Sequence, residues 1–153
     1  MTTLIVATDG SDLAVQAAAA GLALAKPADS VLLVSVADII DPSLAEDATG
    51  HAASSMTPQD VEENHREVRA AGRAAVDATA AALRTKAPSV ELESQVIDGE
   101  PGPALCRLAA DVNASAIIVG SRGRGGLKRA LLGSVSDYVV RNAPCTVIVS
   151  RGE

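Results

Sequence analysis

Residues 116–134 read AIIVGSRGRGGLKRALLGS. The run from Ala116 to Val119 is apolar throughout and stops at Gly120, as a strand covered on both faces does. A glycine-rich loop is expected from Gly120 to Gly133. Ser134 is expected to cap the helix that follows, with Asp137 in its first turn and Pro144 ending it. A loop leaving a buried strand and entering a helix presents backbone N–H groups, and the positive end of the helix, to an anion. Glycines let such a loop approach phosphate oxygens closely and adopt positive φ.

The same alternation of short apolar runs and alanine-rich stretches extends outward in both directions. Leu4 to Ala7 reads as a first strand, ending at Thr8-Asp9-Gly10. Ser11 then opens a helix to about Ala25, and Val31 to Val36 forms a second strand. The pattern fails between Ala37 and Met56, which reads as a long loop, functional or mobile. Thr57-Pro58-Gln59-Asp60 is a helix start, with a cap, proline at the first position and an acid in the first turn. That helix should reach Lys86 and stop before Pro88. Val90 to Ile97 alternates apolar and polar residues, as an edge strand does. A short helix follows from about Gly102 to Asp111, and Cys145 to Ser150 is a last strand. The result is five strands and four helices in strict alternation, which implies a parallel α/β sheet covered on both faces. Alternation alone does not give the strand order.

Composition narrows the function. The chain has 153 residues, enough for one domain over residues 1–153 with a core of its own. The net charge of −6 argues against a general nucleic-acid binder. Positive charge is nevertheless concentrated at Arg122, Arg124, Lys128 and Arg129, where a solvated charge run is the competing reading of the two last-named residues. Tyr138 is the sole aromatic residue, so a bound base must be held by aliphatic side chains and backbone. MTTLIVATDG enters an apolar run without a basic leader, and no apolar run has the length of a membrane span. A cytoplasmic protein without membrane attachment is expected. Cys106 and Cys145 are too few for a disulfide framework and read as small buried residues. His51 and His65 lack ligand-spaced neighbours and read as surface residues. Asp60, Glu62, Glu63 and Glu67 read as a solvated helix face.

Two familiar phosphate motifs are absent. No glycine of the segment precedes lysine, as the P-loop requires, and a Gly-x-Gly-x-x-Gly reading from Gly123 meets Lys128 at its last position. The residues alone therefore give an anion site, with a basic surface loop as the alternative. Gly120-x-x-Gly123, then nine residues, then Gly133-Ser134, resembles the G-x2-G-x9-G-S/T motif of the ATP-binding universal stress proteins. IVATDGS at one end and GSVSDYVVRNAPCTVIV at the other also resemble that family.

The resemblance implies an adenine-nucleotide alpha-hydrolase-like fold, a doubly wound sheet of order 3-2-1-4-5. Its ligand would sit where strands one and four end side by side. It implies that Asp9 meets the ribose or base, although Asp9 also suits a helix cap. Ala7 and Thr8 would line the pocket, and Val36 would touch adenine through its backbone. Gly120, Gly123, Gly133 and Ser134 would surround the phosphates, Val135 and Ser136 would add helix amides, and Arg122 and Arg124 would reach phosphate. The implied ligand is ATP, with or without magnesium, or another adenine nucleotide such as cyclic AMP. The implied assembly is a homodimer through the C-terminal strand. The leading function is a stress or regulatory protein that acts by binding. The alternatives are a slow ATPase or self-phosphorylating enzyme, and a nucleotide-independent interaction module.

Overall fold

The structure is a computed structural model and describes residues 2–25, 27–39, 57–86, 88, 90–122 and 132–152. In chain order the elements are β1 (Thr3–Ala7), α1 (Asp12–Leu24), β2 (Ser30–Ala37), α2 (Pro58–Lys86), β3 (Leu92–Asp98), α3 (Pro101–Asp111), β4 (Ala116–Gly120), α4 (Ser134–Asn142) and β5 (Thr146–Ser150). All five strands are parallel and lie in the order β3-β2-β1-β4-β5. The expected alternation and order are both found. Element ends coincide with the expected ones or differ by one or two residues, as ends commonly do. The expected loop over 37–56 lies outside the described residues from 40 onward.

The strand sequences explain the two-sided burial. In β4, Ala116, Ile117, Ile118 and Val119 are all buried, and so are Val31 to Ser35 of β2. Successive side chains point to opposite faces. Leu4, Val6, Leu33 and Ile118 therefore meet Ala18 of α1 and Val76, Ala80 and Leu83 of α2. Ile5, Val34, Ile117 and Val119 meet Leu105 and Ala109 of α3 and Val139 of α4. Each of the Val, Leu and Ile side chains contributes roughly 1.5–3 kcal/mol when fully buried. β3 reads differently because it is an edge. Its residues are alternately half-buried and exposed over most of its length, matching the alternation in LESQVID.

The helix starts are specified locally. Ser11 caps α1, its hydroxyl accepting the Ala14 N–H at 3.2 Å. At the head of α2 the Thr57 hydroxyl accepts the Asp60 N–H at 3.2 Å, and the Asp60 carboxylate accepts the Thr57 N–H at 2.7 Å. This reciprocal pairing is a capping box with Asp in place of Glu. The Thr57 backbone N–H and then its hydroxyl hold the Asp60 carboxyl below the usual carboxylate range. Glu62, Glu63 and Glu67 are exposed, as expected of a solvated face.

Three expectations need correction. Gly133, not Ser134, occupies the cap position of α4, and Ser134 is the first helical residue. Cys106 and Cys145 are half-buried, not buried, and burial pushes both thiols up from the usual range. His65 is half-buried on α2 in line with Val61 and Val68, and its Nε2 is buried with no hydrogen-bond partner among the described residues. His51 lies outside the described residues.

Candidate functional site at the β1 and β4 ends

The order reverses between β1 and β4, which are paired through Leu4–Ala116, Ile5–Ile117 and Val6–Ile118. Their C-terminal ends therefore lie side by side, and the segments that leave them diverge to α1 and toward α4. A crevice at such a switch point is where open parallel sheets receive ligands.

On the β1 side, the chain makes a tight turn. The Thr8 N–H continues the sheet ladder to the Val34 carbonyl at 2.9 Å. Gly10 then takes φ +78°, a conformation that L side chains rarely adopt. The Asp9 Oδ1 accepts both the Ser11 N–H at 2.9 Å and the Ser11 hydroxyl at 2.6 Å. The same Ser11 oxygen caps α1, so the orientation of the Asp9 carboxylate is tied to the start of that helix. Asp9 itself is half-buried at the crevice edge.

On the β4 side, the described ends of the glycine segment are tied together. Ser121, only 5% exposed, donates its N–H to the Ser150 carbonyl at 2.8 Å. Its own carbonyl accepts the Gly133 N–H at 2.8 Å and the Ser136 hydroxyl at 3.4 Å. The Ser136 hydroxyl also reaches the Gly133 carbonyl at 3.0 Å. One carbonyl thus ties the exit of β4 to the entry of α4 across the loop. A small cleft beside it is lined by Leu13, Gly120, Ser121, Arg122 and Gly152.

The start of α4 has the form of an anion cradle. Its first helical backbone bond runs from the Asp137 N–H to the Gly133 carbonyl at 2.9 Å. The Ser134, Val135 and Ser136 amides precede that bond, and Gly133 has no side chain with which to cap them. Such amides, with the helix dipole behind them, favour negative charge. Asp137 already stands in the first turn.

Among the described residues, neither backbone dihedral nor steric contact demands glycine at 133, although glycine is among the residues favoured at a cap. Its φ is −73°, open to any residue. A Cβ there would meet the Ser121 oxygen at 3.5 Å, the Arg122 Cα at 3.7 Å and the Ser136 Oγ at 3.8 Å, all ordinary contacts. The positive φ expected of the motif is found elsewhere among the described glycines, at Gly10 and Gly99. Gly120 is tighter, since its Cβ would lie 3.2 Å from the Arg122 carbonyl.

The remaining candidates divide by face. Ala7, Val36 and Val135 are half-buried and pack against the same core cluster, on the side of α3 and α4. They supply apolar surface at the C-terminal edge of the sheet. Val36 lies one strand further out, beside Ile97 of β3. The Thr8 side chain turns the other way and meets Thr79 of α2 at 2.8 Å, so toward the crevice Thr8 offers main chain. Arg122 is exposed at the mouth of the loop. Gly123, Arg124, Lys128 and Arg129 lie outside the described residues. Sequence reasoning overlooked Ser121 and Thr79. Both are small hydroxyl residues whose partners lie far along the chain, and no local pattern signals such a pairing.

An open, doubly wound parallel sheet with its order reversing between β1 and β4 defines the α/β class of this domain. The universal stress protein family model matches residues 1–151. The chain belongs to that family. It is 30% identical over 152 residues to the universal stress protein Sll1388 of Synechocystis, covering 95% of each chain. The solved structure of the universal stress protein UspA from Lactobacillus plantarum superposes with a TM-score of 0.76 at 24% identity, covering 98% of this chain and 97% of that one. A universal stress protein solved in complex with cAMP superposes with a TM-score of 0.61 at 24% identity, covering 99% and 98%. Among the described residues, no helix is long and apolar enough to cross a membrane.

Proposed function

We propose that this chain binds an adenine nucleotide, ATP foremost, at the β1–β4 crevice and serves stress response in the cytoplasm by binding. The observation that carries this reading is Gly133. Among the described residues nothing demands glycine there, and the cap of α4 is left without a side chain beside amides suited to phosphate. Phosphates would lie over Gly120, Gly123 and Gly133 to Ser136, with Arg122 at their edge and Asp9 turned to the ribose. The base would rest on Ala7, Val36 and Val135. Among the described residues no His, Cys, Asp or Glu cluster of three gathers for a metal. Magnesium would therefore enter on the phosphates, as that ion usually does.

The first test is direct. Protein purified without added nucleotide is denatured, and the released small molecules are identified by mass spectrometry. ATP or another adenine nucleotide near one per chain is the expected result. No nucleotide released, and no heat of binding with millimolar ATP, would refute the proposal and favour the interaction-module reading. Cyclic AMP is a second reading because a solved family member is in complex with it. Competition between ATP and cyclic AMP for the same site ranks the two.

Hydrolysis is expected to be slow, far below the ~1–100 per second of kinases and efficient ATPases. Attack by water needs a residue to orient it. Asp9 is engaged with Ser11, and Ser134 is a poor base at neutral pH. A single-turnover assay with radiolabelled ATP and magnesium decides this. Rapid phosphate release, lost when the motif is altered, would make the protein an enzyme.

The last strand supports a homodimer reading. β5 ends the sheet, and Val147, Ile148 and Val149 are each only half-buried. An apolar edge of this kind invites pairing with another strand. Ile148→Asp is expected to give monomer or aggregate. A wild-type chain that sediments as monomer at micromolar concentration contradicts the dimer.

A further inference from the structure

A chain of hydrogen bonds runs from the turn after β1 into the middle of α2. The Gly10 N–H donates to the Thr8 Oγ1 at 3.0 Å. The Thr8 and Thr79 hydroxyls meet at 2.8 Å, and the Thr79 hydroxyl donates to the Ala75 carbonyl at 2.8 Å. Thr79 has one proton, and the Ala75 carbonyl takes it. Thr8 must then be the donor between the two hydroxyls, and its lone pair is left to accept from Gly10. All three bonds thus point the same way, from the turn to α2. Thr79 is 0% exposed and Thr8 7%, so water does not replace any of them cheaply.

The steric contact agrees with the hydrogen bonds. A Cβ on Gly10 would lie 2.8 Å from the Ala75 Cα, so main chain of the turn lies directly on main chain of α2. One residue before Gly10 stands Asp9, and one residue after it stands Ser11, which holds the Asp9 carboxylate. We infer that Thr79 is a positioning residue for the Asp9 turn, acting through Thr8 and Gly10 without touching ligand. This rests on the nucleotide reading only for its consequence on binding; its effect on the turn stands by itself.

Thr79→Val keeps the shape and removes the hydroxyl. The Thr8 hydroxyl then faces a methyl group with its proton unused, and its bond to Gly10 loses definition. Deuterium exchange of the Gly10 amide, read by NMR on the full chain, is expected to quicken about tenfold, the effect of losing one such bond. ATP affinity is expected to weaken about five- to tenfold by the same loss. Thr79→Ser restores the oxygen and should return both quantities to near wild type. Thr79→Ala serves if the valine variant folds poorly.

Leu83→Ala is the control for plain destabilisation. Leu83 lies one turn further along α2, is 1% exposed and makes no polar contact, so its loss weakens the core without touching the relay. A Gly10 amide that exchanges by local opening should not follow it. The inference is overturned if Gly10 exchange is unchanged in Thr79→Val, if Thr79→Ser fails to rescue it, or if Leu83→Ala moves it equally. A wild-type chain that does not bind ATP refutes the nucleotide reading alone, and the Gly10 amide still decides the role of Thr79.

Discussion

Gly10→Val is expected to lower folding stability by about 2–6 kcal/mol, the sum of two separate costs. The first is conformational. Gly10 sits at φ +78°, and a β-branched residue held there costs about 1–3 kcal/mol. The second is steric. The new Cβ would stand 2.8 Å from the Ala75 Cα and 2.9 Å from the Ala75 Cβ, too close for any real pair. What it meets is helix backbone, which cannot rotate away as a long side chain can. Either α2 shifts from the sheet, loosening the Val76, Ala80 and Leu83 layer, or the turn shifts and breaks the Gly10–Thr8 bond. Overpacking of this kind costs about 1–3 kcal/mol. Urea unfolding measures the change as a lowered midpoint at constant slope. Gly10→Ala should show most of the same loss, since the Cβ alone makes the contact. A valine variant within about 1 kcal/mol of wild type would mean that α2 and the turn are not packed as described.

How much of this could be read from sequence differs from element to element. AIIV at 116–119 betrays a buried strand because both faces of the sheet are covered and no position is left for a polar residue. LESQVID at 92–98 betrays an edge strand because one row of side chains meets water. The order of the strands is not encoded in such patterns, and it was the likeness of IVATDGS and the glycine motif to a family that implied it. The cap of α4 was misplaced by one residue for a physical reason. Serine is the better cap by propensity. Here the Ser121 carbonyl draws in both the Gly133 N–H and the Ser136 hydroxyl, which fixes where the helix can begin. Thr79 was invisible for another reason. In the run DATAAALR a single threonine looks like a neutral helix residue, and its partner Thr8 is 71 positions away. His65 shows the same limit, since a histidine in line with Val61 and Val68 reads as surface until the packing around α2 is known.

Gly133→Asp is expected to leave the fold as stable as wild type, or slightly more so, while ATP affinity falls at least about a hundredfold, or ~2.7 kcal/mol. The two halves have opposite signs, which is what makes the substitution informative. Gly133 has φ −73° and ψ 163°, the extended conformation of a helix cap, and among the described residues the added Cβ meets only ordinary contacts. Aspartate is among the best caps and exceeds glycine there by a few tenths of a kcal/mol. Its charge against the dipole of α4 adds about 0.3–1 kcal/mol, partly offset by Asp137 in the same turn. The carboxylate would occupy the amides proposed for phosphate and repel a polyphosphate with like charge at short range. Gly133→Ala separates the contributions, since it adds the Cβ without charge or cap. Thermal unfolding and ATP titration on the two variants give the answer. Alanine is a poorer cap than glycine, so a fall in stability of more than about 2 kcal/mol in Gly133→Ala would show that the chain itself requires this glycine, beyond what a lost cap costs. If Gly133→Asp binds ATP within a few fold of wild type, phosphate does not lie at the start of α4, and the nucleotide reading loses its main support.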